Sequence, residues 1–426
     1  MSFILCDISG PQPIVNLFTP EALEIILKSS VHLEKPDVYE SARPWLRNGI
    51  LISEPHKWHI DRKLLTPAFH YSNLERFIPI INKHCRTLCE VIENYPNMIV
   101  DNAMHTFENA AFDILCETSF GTDLNIQRET NSFADNFHLL MELGIKRTFN
   151  PIMLKSEFLF SLSNNGRKYF KAIKAINVFT MNLIRKRKEA LIEESKCTQS
   201  ASKIKSLLDL MLDIHLNDGK FTLDDIQDQV NTFEFAGQDT LAVGISLALF
   251  ELSHNQEVQD RTRQELNDVL GDSTEITKDH LNQLTYLEKV IKECLRLYPP
   301  APFGGRLLAE DTVIEGYTIP SGSFIWMLIG SMHRNPTVWS DPLRFDPERF
   351  SAENSAGRHP FAYIPFSKGI RNCIGQKYAM LVMKITLAAV LRKFKLYPIT
   401  KREEMVYAFE ATLKAVNKIS IGFKQI

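Results

Sequence analysis

Apolar and polar residues alternate with different periods in different parts of the chain. Near the N-terminus, residues 2–8 and 14–18 are short apolar runs separated by glycine and proline, which predicts two strands joined by a turn. Beyond them apolar residues recur three and four positions apart, which is the period of an amphipathic helix. Four segments of the first half share this spacing: 21–28, 56–69, 74–94 and 98–118.

The second half of the chain contains a long predicted helix, followed by a change in residue pattern. Thr222 and Asp225 have the spacing of a capping box, and the helix that they begin is predicted to reach about Ser253. After Tyr298, proline and glycine punctuate the chain, so a second, smaller sheet region is predicted. The remaining predictions are a polar loop at 193–205, strands within 312–319 and 324–328, a helix at 376–395 and a closing hairpin within 410–424.

The composition is that of a globular protein. Of the 426 residues, 44% are hydrophobic and 23% charged, a balance that permits a large core. The fold class predicted is mainly α with small β-sheets (α+β), in one domain from residue 1 to residue 426. The Ser-rich stretch after Glu193 is too short for a domain linker, so it does not divide the chain.

Charge and hydropathy exclude several classes of function. A formal net charge of −2 gives no global reason to expect a nucleic-acid partner. The most apolar helical stretch, 235–253, contains Gln238, Asp239 and Glu251, so no membrane-spanning segment is predicted, and the first ten residues do not resemble a signal peptide. Seven cysteines spread thinly along the chain argue against a disulfide framework and for reduced thiols.

One cysteine lies in a distinctive loop. Phe366, Gly369, Arg371, Cys373 and Gly375 form the pattern F-x-x-G-x-R-x-C-x-G just before a predicted helix. A neighbouring cation and a helix N-terminus both lower the pKa of a thiol, which favours the thiolate that binds a metal. Glycines allow the backbone to fold tightly around the sulfur, and the phenylalanine shields it from water.

This loop resembles the haem-binding loop of cytochromes P450, and the resemblance extends over nearly the whole chain. It implies a cytochrome P450 fold, a single large helical domain with an N-terminal, β-rich lobe. It also implies haem b as cofactor, with Cys373 as the thiolate ligand of the iron. A buried structural role is the ordinary alternative for a single cysteine. His84, Cys85 and Cys89 are better explained as one face of a core helix than as a metal cluster.

In the long helix, Ala236-Gly237-Gln238-Asp239-Thr240 places a glycine, an acid and a hydroxyl where helix propensity favours none of them. A glycine and a threonine that bonds back to the preceding turn could open a pocket there. The stretch resembles the A-G-x-D/E-T element of the same family. Asp239 and Thr240 are thereby implied to be catalytic and to relay the protons needed for oxygen activation.

Two further motifs are implied to lock the core. Glu293 and Arg296 are three residues apart on one helix face and can form an ion pair. The later Pro347-Glu348-Arg349-Phe350 resembles the family's P-E-R-F element, and Arg349 is implied to join that pair in a buried triad. The loss of one member would leave a buried charge uncompensated.

Haem has two propionates, so its site requires several cations and hydrogen-bond donors. The resemblance implies that Trp58 and Arg62, four residues apart on one helix, bind the cofactor together with Arg306 and Arg371. A surface position is the ordinary alternative for Arg306.

The segment 361–400 around the cysteine contains no acidic residue and seven basic ones. A positive patch there would attract an acidic electron donor, although a solvated basic helix is the alternative. The family implies an NADPH-dependent flavin reductase as donor, so that NADPH is used indirectly, and cytochrome b5 as a second candidate. The other partner is a lipophilic small-molecule substrate. No nucleic acid is expected.

The segments 63–69 and 372–377 resemble those of the family-four branch, whose members oxidise fatty acids and, in insects, varied lipophiles. Ala236 stands where that branch usually has a glutamate that esterifies the haem, and Leu241 replaces a common threonine. A covalent haem link is therefore not expected. Phe235, Ala236, Phe303 and Phe409 are candidate pocket residues, with a simple core role as the alternative.

Most relatives begin with a membrane anchor, and this chain is expected to be truncated at its N-terminus. The full-length protein is expected at the endoplasmic reticulum membrane, with its catalytic domain in the cytosol. Two alternative functions stay open. One is a thiolate-haem isomerase or dehydratase, against which Asp239 and Thr240 argue because it needs no proton relay. The other is an inactive haem-binding relic.

Overall fold

The computed structural model describes residues 5–7, 13–129, 132–196, 206–409 and 411–426. Helices make up 62% of the structure, which confirms the mainly α class. The helices are α1 (Pro20–Lys28), α2 (Arg43–Leu46), α3 (Pro55–Leu65), α4 (Tyr71–Leu74), α5 (Ile78–Glu93), α6 (Ala103–Leu115), α7 (Ser132–Thr148), α8 (Pro151–Lys155), α9 (Glu157–Leu162), α10 (Asn164–Lys196), α11 (Leu207–Asp218), α12 (Leu223–His254), α13 (Gln256–Leu270), α14 (Lys278–Gln283), α15 (Thr285–Leu297), α16 (Ile329–Met332), α17 (Ala352–Ser355) and α18 (Gln376–Lys393).

Short strands form four small sheets. The strands are β1 (Leu5–Asp7), β2 (Ile14–Leu17), β3 (Ile99–Val100), β4 (Gly304–Leu307), β5 (Thr312–Ile314), β6 (Tyr317–Ile319), β7 (Phe324–Met327), β8 (Phe394–Pro398), β9 (Tyr407–Phe409), β10 (Leu413–Ala415) and β11 (Ile421–Gln425). One sheet has the order β1-β2-β7-β4, a second β3-β11-β8, and two hairpins pair β5 with β6 and β9 with β10. Only the β2–β7 pairing is parallel among these described strands.

The start of α12 follows directly from local sequence. The Thr222 hydroxyl accepts a hydrogen bond from the backbone N–H of Asp225 at 3.0 Å, and the Asp225 carboxylate accepts one from the N–H of Thr222 at 3.0 Å. This reciprocal pair satisfies amide groups that a helix N-terminus leaves without partners. The predicted capping box is thereby confirmed, and α12 ends at His254, next to the predicted end.

The C-terminal tail differs from the prediction. Two strands do occur there, but they do not pair with each other: β10 pairs with the preceding β9, and β11 pairs antiparallel with β8. The predicted helix at 376–395 ends at Lys393 because β8 begins at the next residue. The helix predicted at 98–118 is also wrong at its start, because the short strand β3 occupies residues 99–100 and α6 begins at Ala103. The polar loop predicted at 193–205 lies largely outside the described residues, and α10 extends into it as far as Lys196.

The chain divides into two compact units, each with its own core. The first comprises residues 1–36, 81–108 and 239–426 and contains all four sheets. Its sheet core is a continuous apolar cluster that includes Leu23, Ile26, Leu27, Ile325, Met327, Phe361 and Ile364. Because Phe361 and Ile364 belong to this cluster, the backbone is anchored immediately before the cysteine loop.

The second unit comprises residues 37–80 and 109–238 and is almost entirely helical. Aromatic rings fill its core, with Phe133 and Phe179 at 4.4 Å and Trp45 and Phe137 at 5.5 Å between ring centroids. The Tyr169 hydroxyl donates to the carbonyl of Ser41 at 2.7 Å and ties α10 to the start of the unit. A single domain over the whole chain stays a prediction.

Helix α12 is long and apolar enough to cross a membrane, with a mean hydropathy of 1.2 over its most apolar 18 residues. This finding differs from the prediction that the chain contains no segment able to span a membrane. However, 78% of that window is buried within the protein, as in the core helix of a globular domain. Length and composition therefore give weak grounds for a membrane span here.

Candidate functional site

The cysteine loop is held by its own backbone. The N–H of Cys373 donates to the carbonyl of Phe366 at 2.9 Å, and the N–H of Asn372 donates to the carbonyl of Gly369 at 3.2 Å. Helix α18 begins three residues later, at Gln376. Of the five cysteines whose side chains the structure describes, Cys373 alone is exposed. The loop therefore presents a sulfur that a ligand can reach.

The two glycines of the loop have different roles. Gly369 has φ +79°, and a Cβ at this position would lie 1.7 Å from the carbonyl oxygen of Leu27. Both the backbone conformation and the close approach therefore require glycine. Gly375 has φ −85°, and a Cβ there would lie at an ordinary 3.8 Å from the Cys373 sulfur. The structure thus corrects the expectation that both glycines fold tightly around the sulfur: only Gly369 is sterically required.

Three cations lie close together in the same unit as the cysteine. Arg306, on β4, is 4% exposed and donates to the carbonyl of Gly305 at 2.8 Å. Arg371 donates to the carbonyl of Leu33. Burial lowers the pKa of Lys35 well below its usual value, and the charges of Arg306 and Arg371 lower it further. A ligand that brings negative charge would offset the two guanidinium groups and favour the protonated form of Lys35.

Lys35 was not found from the sequence because it belongs to no motif. Backbone contacts of the two residues before it fix its position. The carbonyl of Glu34 accepts from the N–H of Leu307 at 3.0 Å, and the carbonyl of Leu33 accepts from the guanidinium of Arg371. Segment 33–36 is thus fixed to both β4 and the cysteine loop. An accessible thiol and a cluster of three cations fit haem, which offers iron to the sulfur and two carboxylates to the cations.

Asp239, on α12, is 1% exposed and has two partners. One carboxylate oxygen accepts from the Thr412 hydroxyl and the other from the ammonium group of Lys414. Both partners lie at β10 or directly before it, more than 170 residues away in sequence. No local pattern could have indicated them. Thr240 follows Asp239 on the helix, and its role stays a prediction.

Gly237 does not open the groove that the sequence suggested. A Cβ at this position would lie 2.7 Å from a side-chain carbon of Leu115. The glycine therefore allows α12 to approach α6 closely, so its steric role is helix packing. Phe235 packs edge-on against Trp45 at 5.8 Å, and Phe303 against Trp326 at 4.5 Å. These contacts give both phenylalanines a packing role. The side chain of Phe409, the other candidate pocket phenylalanine, lies outside the described part of the chain.

Glu293, Arg296 and Arg349 are in contact in the first unit, as the motifs imply. Arg296 donates to Glu293 at 2.7 and 2.8 Å, and Arg349 donates to it at 3.2 Å. Both members of the Glu293–Arg296 pair have fully buried side chains. The remaining donors of Arg296 bond the carbonyls of His333 and Pro342 at 2.8 Å each. The cluster therefore holds together the segment that leads into the cysteine loop.

Trp58 and Arg62 belong to the second unit. They lie one turn apart on α3, and the Trp58 side chain is 4% exposed. The carbonyl of Arg62 accepts from the Thr66 hydroxyl at 2.6 Å. Both residues therefore lie on one helix, as predicted, and their cofactor roles stay predictions.

Cys85 and Cys89 are core residues, as predicted. Burial raises the pKa of each thiol to about 12, which disfavours a thiolate. The Cys85 sulfur lies 3.5 Å from the Thr386 hydroxyl on α18. Their environment is that of packing residues and contrasts with the exposed Cys373.

Three of the seven basic residues in segment 361–400 pair with acids from other elements. Lys384 pairs with Glu288 at 2.7 Å, Lys393 with Glu93 at 2.9 Å and Lys395 with Asp260 at 3.5 Å. Arg392 and Lys368 donate to backbone carbonyls. The absence of acids in the sequence therefore overstates the positive charge of this surface, because folding brings carboxylates to it.

Comparisons with known proteins identify the family. The family model for Cytochrome P450 matches residues 4–422. Cytochrome P450 4V2 of Rattus norvegicus is 37% identical, over 98% of this chain and 81% of its own length. Cytochrome P450 4c21 of Blattella germanica is 36% identical, over 97% and 84%, and Cytochrome P450 4d2 of Drosophila melanogaster is 36% identical, over 95% and 83%.

The fold has a counterpart among solved structures. The crystal structure of the cytochrome P450DA heme domain superposes with a TM-score of 0.85 and covers 100% of this chain and 90% of that one, at 23% identity. The relatives imply haem with a cysteine thiolate, a reductase as electron source and a lipophilic substrate, and they suggest a membrane-associated protein. They do not favour an isomerase or dehydratase. The chain belongs to the cytochrome P450 family and is a haem-thiolate monooxygenase.

Proposed function

We propose that Cys373 is the thiolate ligand of the haem iron. The observation that carries this proposal is that Cys373 is the exposed cysteine among the five whose side chains are described, in a loop whose backbone is fixed by Phe366 and Gly369. When bound, the haem supplies the redox chemistry that inserts one atom of O2 into the substrate. The chain's part is to hold the sulfur deprotonated, and nearby Arg371 and the N-terminus of α18 favour that state.

Arg306, Arg371 and Lys35 bind the haem propionates. Their mutual repulsion is relieved when two carboxylates enter the cluster, so the cofactor is held by charge as well as by the iron–sulfur bond. Trp58 and Arg62 are proposed as further cofactor-binding residues on the resemblance alone.

Asp239 and Thr240 supply protons during oxygen activation. Asp239 is one of the buried acids of α12, at 1% exposure, and it directly precedes Thr240 in the sequence. A carboxylate and a hydroxyl in sequence can accept and donate protons in turn, which is the chemistry of a relay. The expected consequence of Thr240→Ala is that haem binding persists while electrons are consumed without product.

The substrate is a lipophile such as a fatty acid, a hormone-like lipid or a xenobiotic. Ala236 has no carboxylate to esterify the haem, so the cofactor is held without a covalent link to α12. Phe235, Ala236 and Phe303 stay candidate pocket residues on the sequence alone. Similarity at 35–37% identity to relatives of the 4V2, 4c21 and 4d2 types supports this branch.

The electron donor is an NADPH-dependent reductase, and cytochrome b5 is proposed as a second donor. The protein is proposed to reside at the endoplasmic reticulum membrane, with its catalytic part on the cytosolic face and in contact with the membrane surface. Because Glu288, Glu93 and Asp260 pair with three of the seven basic residues of segment 361–400, we expect electron transfer to depend only moderately on salt.

Turnover in labelled oxygen tests the activity. The purified chain is reconstituted with reductase and NADPH, and lipid and xenobiotic candidates are first screened by their binding spectra. A product containing one atom from 18O2, formed only with NADPH and reductase, supports the proposal. Rearranged peroxide formed without either would indicate an isomerase, and correct haem loading without turnover of any spectrally bound compound would indicate an inactive relic.

A further inference from the structure

The ion pair between Asp239 and Lys414 joins a buried acid to the surface. Asp239 is 1% exposed, whereas the side chain of Lys414 is 24% exposed. A buried carboxylate is costly without a compensating charge, and the ammonium group supplies that charge. Thr412 donates to the second carboxylate oxygen. Both oxygens of Asp239 are therefore oriented by residues near one strand.

The hairpin that carries these partners is itself fixed. In β10, Lys414 pairs with Ala408 of β9, and the N–H of Leu413 donates to the carbonyl of Pro300 at 2.9 Å. Thr412 directly precedes β10 and Lys414 is the central residue of that strand, and both side chains contact Asp239. The contacts with Asp239 therefore follow from the register of the hairpin.

A second contact reinforces this arrangement further along α12. Glu251 accepts from the Tyr298 hydroxyl at 2.8 Å and from Arg402, which lies five residues before β9. The rings of Tyr298 and Tyr407, the first residue of β9, lie 5.4 Å apart. The hairpin and the segment that precedes it are thus connected to α12 at two points, Asp239 and Glu251.

We propose that Lys414, together with Thr412, positions Asp239 for proton relay and forms the solvent end of the path. This inference rests on the proposed role of Asp239. In each cycle Asp239 accepts a proton from a water molecule admitted beside the Lys414 ammonium, that water regains a proton from bulk solvent, and Asp239 passes its proton inward. The carboxylate then returns to the ion pair, Lys414 keeps its own protons, and no electron moves through this path. Lys414 is a positioning residue because it acts through Asp239.

The test compares Lys414→Met, Lys414→Arg and the control Lys418→Met in the haem-loaded protein. Lys418 is an exposed lysine on the same chain segment, and its backbone carbonyl is the group in contact with Thr400. Three quantities are measured with a turned-over substrate: product formed per NADPH consumed, the solvent isotope effect on turnover, and the melting temperature. The reduced carbon monoxide spectrum of each variant verifies intact haem ligation.

We expect Lys414→Met to lower the yield of product per NADPH by about threefold to thirtyfold, less than the hundredfold or more for loss of a proton-transfer group itself. The solvent isotope effect should rise because proton delivery becomes slower. Lys414→Arg should restore both, since it keeps the charge. Lys418→Met should match the parent. Melting temperatures of Asp239→Asn, Lys414→Met and the double variant should be non-additive, which reports the contact independently of activity.

Two outcomes would overturn the proposals separately. If Lys414→Met melts at a lower temperature but keeps the parent's yield and isotope effect, the ion pair is structural and this inference fails. If Asp239→Asn also leaves both quantities unchanged, Asp239 is not in the relay and the proposed function of that residue fails. If Asp239→Asn impairs turnover while Lys414→Met does not, only the role of Lys414 is rejected.

Discussion

Gly369 lies so close to Leu27 that a Cβ on the glycine would be 1.7 Å from the leucine carbonyl oxygen. The cysteine loop is thereby pressed against the end of α1, which belongs to the sheet core of the first unit. The position of the sulfur consequently depends on a contact that only a residue without a side chain permits.

Replacement of that glycine should therefore be severe. Gly369→Ala combines an unfavourable φ of +79° with overlap against backbone, and we expect a loss of roughly 3 kcal/mol or more in unfolding free energy together with reduced haem content. Thermal unfolding and the haem-to-protein ratio measure both. Gly357→Ala is the matched control: φ is +74° but nothing lies within 4 Å, so about 1 kcal/mol is expected. Equal losses in the two variants would contradict the steric account.

Lys35 should have opposite effects on the protein with and without haem. Removal of one cation in Lys35→Gln relieves repulsion from Arg306 and Arg371, so the haem-free protein should become more stable. The propionates lose a partner, so haem should leave about five to thirty times faster, as expected for about 1–2 kcal/mol. Transfer of haem to apomyoglobin measures the rate. Lys28→Gln, at an exposed ion pair with Glu24, is the control and should change neither quantity. Unchanged haem release in Lys35→Gln would reject its role.

The buried ion cluster should be sensitive to the loss of its acid. Glu293→Leu leaves the guanidinium of Arg296 buried without its counterion, and we expect a loss of about 3–5 kcal/mol in unfolding free energy. Arg86→Met removes a comparable but exposed pair with Glu275 at 2.7 Å and should cost at most about 1 kcal/mol. Denaturant unfolding compares the two. Similar losses would show that burial does not govern the energetics of these pairs.

His333 should make the protein less stable in acid. The imidazole is fully buried and accepts from the N–H of Ile364 at 2.9 Å, and burial lowers the pKa of His333 to about 3. The unfolded chain binds its proton near pH 6.5, so this contribution to stability is complete above pH 6.5 and is lost as the pH falls toward 3.

His333→Gln keeps an acceptor for Ile364 but does not titrate. Its unfolding free energy between pH 6 and 4 should fall less steeply than that of the parent, by up to about 1.4 kcal/mol per pH unit. Denaturant unfolding at several pH values measures the slopes. Parallel slopes in the two proteins would mean that His333 does not titrate on unfolding.

The sequence predicted those contacts whose partners are close together along the chain. The Thr222–Asp225 capping box and the Glu293–Arg296 pair are local, since their partners lie three residues apart. It did not predict the partners of Asp239, because the pairing of β10 with β9 brings Thr412 and Lys414 to it from a distant part of the chain.

Net charge along a segment was misleading for the same reason. The stretch 361–400 contains no acid, yet Glu93 and Glu288 pair with its lysines once the chain folds. Lys35 could not be found either, since its significance comes from Arg306 and Arg371 beside it. Tertiary contacts decided each of these features.

The central claim is that Cys373 supplies the thiolate of the haem. The most direct test is the absorption spectrum of the dithionite-reduced protein under carbon monoxide, recorded for the parent, Cys373→Ser and the core control Cys89→Ala. We predict a strongly red-shifted Soret band in the parent and in Cys89→Ala, because both keep the thiolate, and its loss in Cys373→Ser. A red-shifted band that persists in Cys373→Ser, or a parent spectrum typical of neutral or nitrogen ligation, would contradict the assignment.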